Sequence, residues 1–159
     1  MKPIKIEIEG LHSFIEKQVI DFSMVGPTNL FGIFGPTGSG KSTILDAMIL
    51  ALYGTVERSK TNSDFINSKC AKARVSFEFE TIERGKSKKY EIERVYKRKK
   101  DGGVEQIAQV FEKTTLGKSQ VTEGAVKVDE FVKTTIGLTE NEFTKCVALP
   151  QGAFAGWLF

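Results

Sequence analysis

Ile4, Ile6 and Ile8 alternate with Lys5, Glu7 and Glu9, the period of a half-buried strand over residues 3–9. Val19–Phe22 reads as a second short strand. Leu30–Phe34 is a compact apolar run that stops at Gly35, which predicts a strand buried on both faces. From Lys41 to Tyr53 the apolar residues Ile44, Leu45, Ala47, Met48, Ile49, Leu50, Ala51 and Leu52 cover most faces of a helix. Such a helix is expected to be deeply packed, with Gly54 ending it. Val75, Phe77 and Phe79 then alternate with Ser76, Glu78 and Glu80, a half-exposed strand. Residues 89–99 and 104–112 predict two more strands, joined through Asp101-Gly102-Gly103, whose glycines supply the positive φ angles of a tight hairpin. These strands form an antiparallel meander. Val128, Phe131, Val132 and Ile136 sit at helical spacing before Gly137, and Thr139-x-x-Glu142 has the form of a capping box opening a short helix with Phe143 inward. The expected fold is α/β. The apolar stretch Phe154–Phe159 reads as the start of a longer helix within a larger protein.

With 159 residues the chain fits one domain, and 40% apolar content excludes a wholly disordered chain. The longest apolar run, Ala47–Tyr53, falls far short of the ~20 residues of a membrane helix. The opening residues carry no apolar stretch of secretory length. Two cysteines, Cys70 and Cys146, and a single histidine argue against a disulfide framework or a Cys/His metal cluster. A cytosolic location is the expected default. Charge changes the picture locally. Between Arg84 and Lys100 nine basic residues face only Glu91 and Glu93, so this segment is +7 while the whole chain is +3. A basic stripe of this kind suits a polyanion, or a solvated hairpin kept from pairing by its lysines.

The chemistry concentrates at Gly35-Pro36-Thr37-Gly38-Ser39-Gly40-Lys41-Ser42, which matches the phosphate-loop pattern G-x-x-x-x-G-K-[ST] between a predicted strand and a predicted helix. The glycines let backbone N–H groups wrap a phosphate without intervening side chains, and the helix N-terminus adds a partial positive charge. Lys41 is placed to reach the β- and γ-phosphates, and the Ser42 hydroxyl to bind Mg²⁺. With Thr43 alongside, residues 35–43 form the expected contacts to a nucleoside triphosphate. Hydrolysis also needs an acid on a second apolar strand. Val147-Ala148-Leu149-Pro150 is followed by Gln151, Phe77–Glu80 alternates, and Val19-Ile20-Asp21 is short. The chain therefore reads as half of a nucleotide site, with catalytic machinery elsewhere.

Four stretches resemble the N-terminal ATPase lobe of the SbcC family, the ABC-type ATPases of bacterial SbcCD nucleases. That family is related to the eukaryotic and archaeal break-repair ATPases and more distantly to SMC proteins. The stretches are Leu11-His12-Ser13-Phe14; the phosphate loop running on to Asp46-Ala47 and Ala51-Leu52-Tyr53-Gly54; Asp64-Phe65-Ile66-Asn67; and Leu149-Pro150-Gln151-Gly152-Ala153-Phe154. The resemblance implies a P-loop N-lobe over residues 1–150, then a Q-loop and the first turn of a coiled coil over 151–159. It implies ATP and Mg²⁺ as cofactors, with Lys41 and Gln151 as catalytic residues and Ser42 and Gln151 at the metal. His12, Ser13, Ile66 and Asn67 fall where relatives approach the nucleotide. The implied partners are a C-terminal ATPase lobe, on the same protein or a separate chain, a second head forming a homodimer, an SbcD-type nuclease and double-stranded DNA, with no membrane. Lys97, Arg98, Lys99 and Lys100 become candidate DNA contacts. Head dimerisation on ATP would then control DNA binding and the nuclease, and the isolated chain would be inactive. An SMC-like ATPase without a nuclease partner would differ in the remaining lobe. A stand-alone P-loop kinase would need an acceptor lid and its own acidic strand.

Overall fold

The computed structural model describes residues 1–24, 31–56, 61 and 63–146. Strands β1 (Lys2–Glu9) and β2 (Gln18–Asp21) precede helix α1 (Lys41–Tyr53). Four strands follow, β3 (Lys72–Glu83), β4 (Lys86–Arg98), β5 (Val104–Thr114) and β6 (Gly117–Glu123), then helices α2 (Ala125–Ile136) and α3 (Glu140–Cys146). The strands make one antiparallel sheet in the order β2-β1-β3-β4-β5-β6.

Alternation decides which face is covered. Ile6 and Ile8, Ala73 to Phe79 by twos, Tyr90 and Ile92, and Ala108 and Val110 all point to one side and are fully or nearly fully buried. A slip of one residue would turn that set to the opposite face, so burial fixes the register. Helix α1 packs over β1, β3 and β4, and α2 over β5 and β6. Val128 and Val132 of α2 and Phe143 of α3 complete this core. Both ends of α1 stand where the pattern predicts, with Gly54 in the left-handed conformation at φ 76. The capping box also forms, Thr139 N–H donating to Glu142 Oε2 at 2.8 Å and Glu142 N–H to Thr139 Oγ1 at 3.3 Å.

Three findings depart from the sequence reading. Strand β6 carries Lys118, Ser119 and Gln120 with no apolar alternation, and so was not legible as a strand. Strand β3 is not half-exposed: Ser76 is 2% and Glu78 8% exposed on its polar face. A charged lattice covers that face. Glu7 accepts from Lys17 (2.9 Å) and Arg74 (3.0 Å), and Arg74 also holds Glu93, so one guanidinium joins β1, β3 and β4. Glu91 accepts from Ser76 and Lys118, and Lys113 donates to Glu78 at 2.6 Å. The aliphatic stems of these lysines and the arginine shield the carboxylates beneath.

The third departure is Arg94, a member of the basic stripe by sequence. It is completely buried on the core face. Nε donates to the Ala51 carbonyl and Nη2 to the Leu52 carbonyl, each at 2.9 Å, and Nη2 also meets Asp129 Oδ1 of α2 at 2.6 Å. Gly54 makes room for it: a Cβ there would lie 2.7 Å from Nη1. Tyr96 lies alongside, its hydroxyl donating to the Gly54 carbonyl at 3.1 Å. The positive charge thus caps the carbonyl end of α1 from inside the protein.

Two outcomes follow from this packing. Arg94→Ala strands the last carbonyls of α1 and leaves a cavity, and should lower the unfolding free energy by about 3 kcal/mol or more in a urea titration. Glu7 titrates abnormally: burial alone would raise its carboxyl, but the bonds from Lys17, Arg74 and Lys5 hold it down to about 2. Its folded pKa lies below the unfolded value, so its stabilising contribution is complete above the ordinary carboxylate range and is lost as pH falls toward 2. Glu7→Gln should flatten the acid limb of a Tm-against-pH curve and leave the neutral limb parallel to wild type.

Candidate functional site

The phosphate loop does not follow a strand. Residues 31–36 have no regular structure, and Phe34 is 92% exposed. A strand buried on both faces needs neighbours on both sides. No described strand pairs with this run, and the sheet ends at β2 and β6. Phe31 instead rests on Phe22, their rings 4.9 Å apart. Leu30 lies outside the described residues.

Beyond Phe34 the loop has the conformation its glycines permit. Gly38 and Gly40 take φ 84 and 88, the left-handed region that other residues avoid. Ser39 N–H donates to the Pro36 carbonyl at 3.3 Å, and the Gly40 carbonyl receives the first bond of α1 from Ile44 at 3.1 Å. Gly35, Pro36, Thr37, Gly38 and Ser39 are exposed, as is Ser42, while Thr43 is buried behind them. Lys41 Nζ donates to the carbonyls of Gly35 and Pro36, both at 2.7 Å, so the ammonium lies across the mouth of its own loop. The N-cap of α1 has no side-chain bond and its first turn carries no acid. The positive end of the helix is thereby open to an external anion.

The other predicted contacts gather beside this loop with unequal roles. Leu11 and Phe14 bracket a tight turn, with mutual backbone bonds of 3.0 and 2.8 Å, and Ser13 is exposed at its tip. His12 takes φ 46, and its Nε2 stands 3.7 Å from Asp46 Oδ2 on α1. Asn67 Nδ2 donates to the His12 carbonyl, and Asn67 Oδ1 accepts from Lys69 N–H at 2.8 Å. Its amide is thus engaged within the protein. Ile66 is 3% exposed in the core, and its carbonyl accepts from Arg98 Nη2 at 2.9 Å. Asp21, the weak candidate acid, accepts from Ser23 N–H at 2.8 Å. Among the described residues no cluster of three or more His, Cys, Asp or Glu side chains is arranged to hold a metal. Gln151 and the rest of the Leu149–Phe154 stretch lie outside the described residues.

The basic segment is divided by the fold. Strand β4 has 13 residues, so Lys86 and Arg98 are roughly 40 Å apart. Arg84, Lys86 and Lys89 stand at one end of the sheet and Lys97, Lys99 and Lys100 at the other, all exposed. Arg98 supports the 63–66 loop through the Ser63 and Ile66 carbonyls. Tyr90 and Tyr96 are buried and pack the core.

A family model described as an AAA domain matches residues 5–156. The chain belongs to the AAA domain family. The match takes in the phosphate loop, the His12 turn, the sheet from Lys5 of β1 onward, and helices α1, α2 and α3. Over 99% of its length the chain is 44% identical to the SbcC component of the SbcCD nuclease of Clostridium acetobutylicum, and 44% identical to the SbcC component from Bacillus subtilis. It is 31% identical to a probable DNA double-strand break repair Rad50 ATPase of Aquifex aeolicus. It spans 14% of each of the first two proteins and 15% of the third. The SbcC resemblance carried by the four sequence stretches agrees with these matches. No helix among the described residues is long and apolar enough to cross a membrane.

Proposed function

We propose that this AAA domain is the triphosphate-binding lobe of a DNA-repair ATPase of SbcC type, and that it forms half of its nucleotide site. One observation carries the reading: a glycine loop with two left-handed residues opens onto a helix whose first turn has neither a side-chain cap nor an acid. Backbone N–H groups so exposed fit the oxygens of a triphosphate, and the absence of carboxylates there removes what would repel it.

ATP with Mg²⁺ fits these residues. The N–H groups of Gly38, Gly40, Lys41 and Ser42 would hold the phosphates, and Lys41 would exchange its two carbonyl partners for phosphate oxygens. Ser42, on the exposed first turn of α1, would supply its hydroxyl to the metal. Bound Mg²⁺ would supply charge neutralisation at the phosphates. Gln151, by its place in the family pattern, is the residue to sense the γ-phosphate. The unpaired Phe31–Phe34 run supports a second lobe: a C-terminal ATPase lobe would supply strand neighbours and the acids of hydrolysis. Two such heads would close on ATP, and closure would govern an SbcD-type nuclease at double-stranded DNA ends. Lys97, Lys99 and Lys100 are the exposed cations offered to DNA phosphates.

Lys41→Ala should abolish ATP binding by the complete two-lobed head in calorimetry, and binding at wild-type affinity would reject the site. The 159-residue chain alone should show no steady ATP turnover. Reversal of Lys97, Lys99 and Lys100 to Glu should weaken DNA binding by the assembled complex and shrink its salt dependence. Arg98 is left intact in that variant because it supports the 63–66 loop.

A further inference from the structure

The geometry points to Phe14 as a positioning residue of the phosphate loop, held in place by Asn67 acting through the backbone of His12. The inference rests on the phosphate-loop reading and assigns a role to a side chain that makes no contact with the phosphates itself.

Gly40 is the hinge between loop and helix. It lies at φ 88, and its carbonyl starts the hydrogen-bond ladder of α1. The ring of Phe14 closes one side of it. A Cβ on Gly40 would fall 2.6 Å from Phe14 Cζ and 3.0 Å from Cε1, so the ring edge rests against the bare Cα. Glycine is needed here twice, for its left-handed conformation and for this approach. The approach also limits how far Gly40 can swing from the conformation that aims the N–H groups at an anion. A glycine-rich loop left unsupported has many conformations to lose on binding, and a wall against one of them removes part of that loss.

The wall is itself braced. Phe14 ends the turn whose corner residue, His12, has the unusual positive φ of 46. Asn67 Nδ2 donates to the His12 carbonyl, His12 N–H donates to the Phe65 carbonyl at 2.8 Å, and Asn67 N–H donates to the Gly10 carbonyl at 2.8 Å. Leu11 forms an isolated bridge with Ile66. The turn therefore grips α1 at two points, Phe14 on Gly40 and His12 facing Asp46. On this account Asn67 does not read the base; it fixes the turn that fixes the loop.

A loop positioned in this way is felt by phosphates and not by the base, which gives the test. In the complete ATPase, affinities for ATP, GTP and inorganic tripolyphosphate, each with Mg²⁺, are measured for wild type, Phe14→Ala, Phe14→Leu, Asn67→Ala and Lys41→Ala. Phe14→Ala should weaken all three ligands alike, by about tenfold, and Phe14→Leu should restore most of the loss by refilling the space. Asn67→Ala should show the same base-independent pattern. If Phe14→Ala does not fold, Phe14→Val carries the same comparison with a smaller loss. Unchanged affinity in Phe14→Ala beside abolished binding in Lys41→Ala overturns the positioning role alone. A loss confined to ATP also overturns it, because it would put the turn against the base. Retained binding in Lys41→Ala overturns the phosphate-loop reading beneath it.

Discussion

Helix α1 has one end sealed and one end open, and the rest of the structure is arranged around that asymmetry. At its C-terminus the carbonyls of Ala51 and Leu52 are satisfied by a guanidinium with no solvent exposure, and Gly54 gives it room. At its N-terminus the N–H groups have no side-chain cap. A buried cation at the negative end of a helix is stabilised by the helix dipole and by hydrogen bonds to its carbonyls, which offset the cost of removing it from water. The same Arg94 reaches Asp129, so the helix that presents the phosphate loop is tied to β4 and α2 by one side chain. A second set of ties, Tyr53 Oη to the Leu138 carbonyl at 3.1 Å and Thr55 Oγ1 to Glu140 Oε2 at 2.7 Å, holds the same end of α1 to the α2–α3 connection. The loop at the opposite end is thus carried on a helix tied to β4, α2 and α3 at its other end.

The two faces of the sheet answer to different physics. The covered face is predominantly apolar, with Arg94 and its partners set into it, and its alternation selects the register. The other face is a lattice of paired charges, with Glu7, Arg74 and Glu93 linking three strands. Paired charges of this kind link neighbouring strands and resist their non-native pairing. They also leave this face nearly neutral, so the cations available to a polyanion are those at the strand ends. That is why a segment that is continuous along the chain becomes two separated groups in space.

How far the fold was legible follows from where its signals lie. Local chemistry was readable: Gly54 and Gly137 end helices, Thr139 and Glu142 form their box, and Asp101-Gly102-Gly103 turns a hairpin. The phosphate loop was readable because its glycines and Lys41 have few other uses in that order. Features set by distant neighbours were not. The Phe31–Phe34 run has strand composition but no described strand to pair with, and β6 pairs through its backbone with little apolar signal of its own. Arg94 looked like one of nine cations because nothing in the local sequence records that Gly54 and Asp129 lie opposite it. Phe14 stood in a recognised stretch without a role, since its contact with Gly40 exists only once β1 and α1 are packed.

The central claim is that the open end of α1 receives a triphosphate. Amide hydrogen exchange of the complete head, with and without ATP and Mg²⁺, addresses it most directly. Slowed exchange across residues 38–43 on adding nucleotide, with the Ala51–Gly54 end already protected in its absence, is the predicted result. Nucleotide binding that leaves exchange at residues 38–43 unchanged would contradict it.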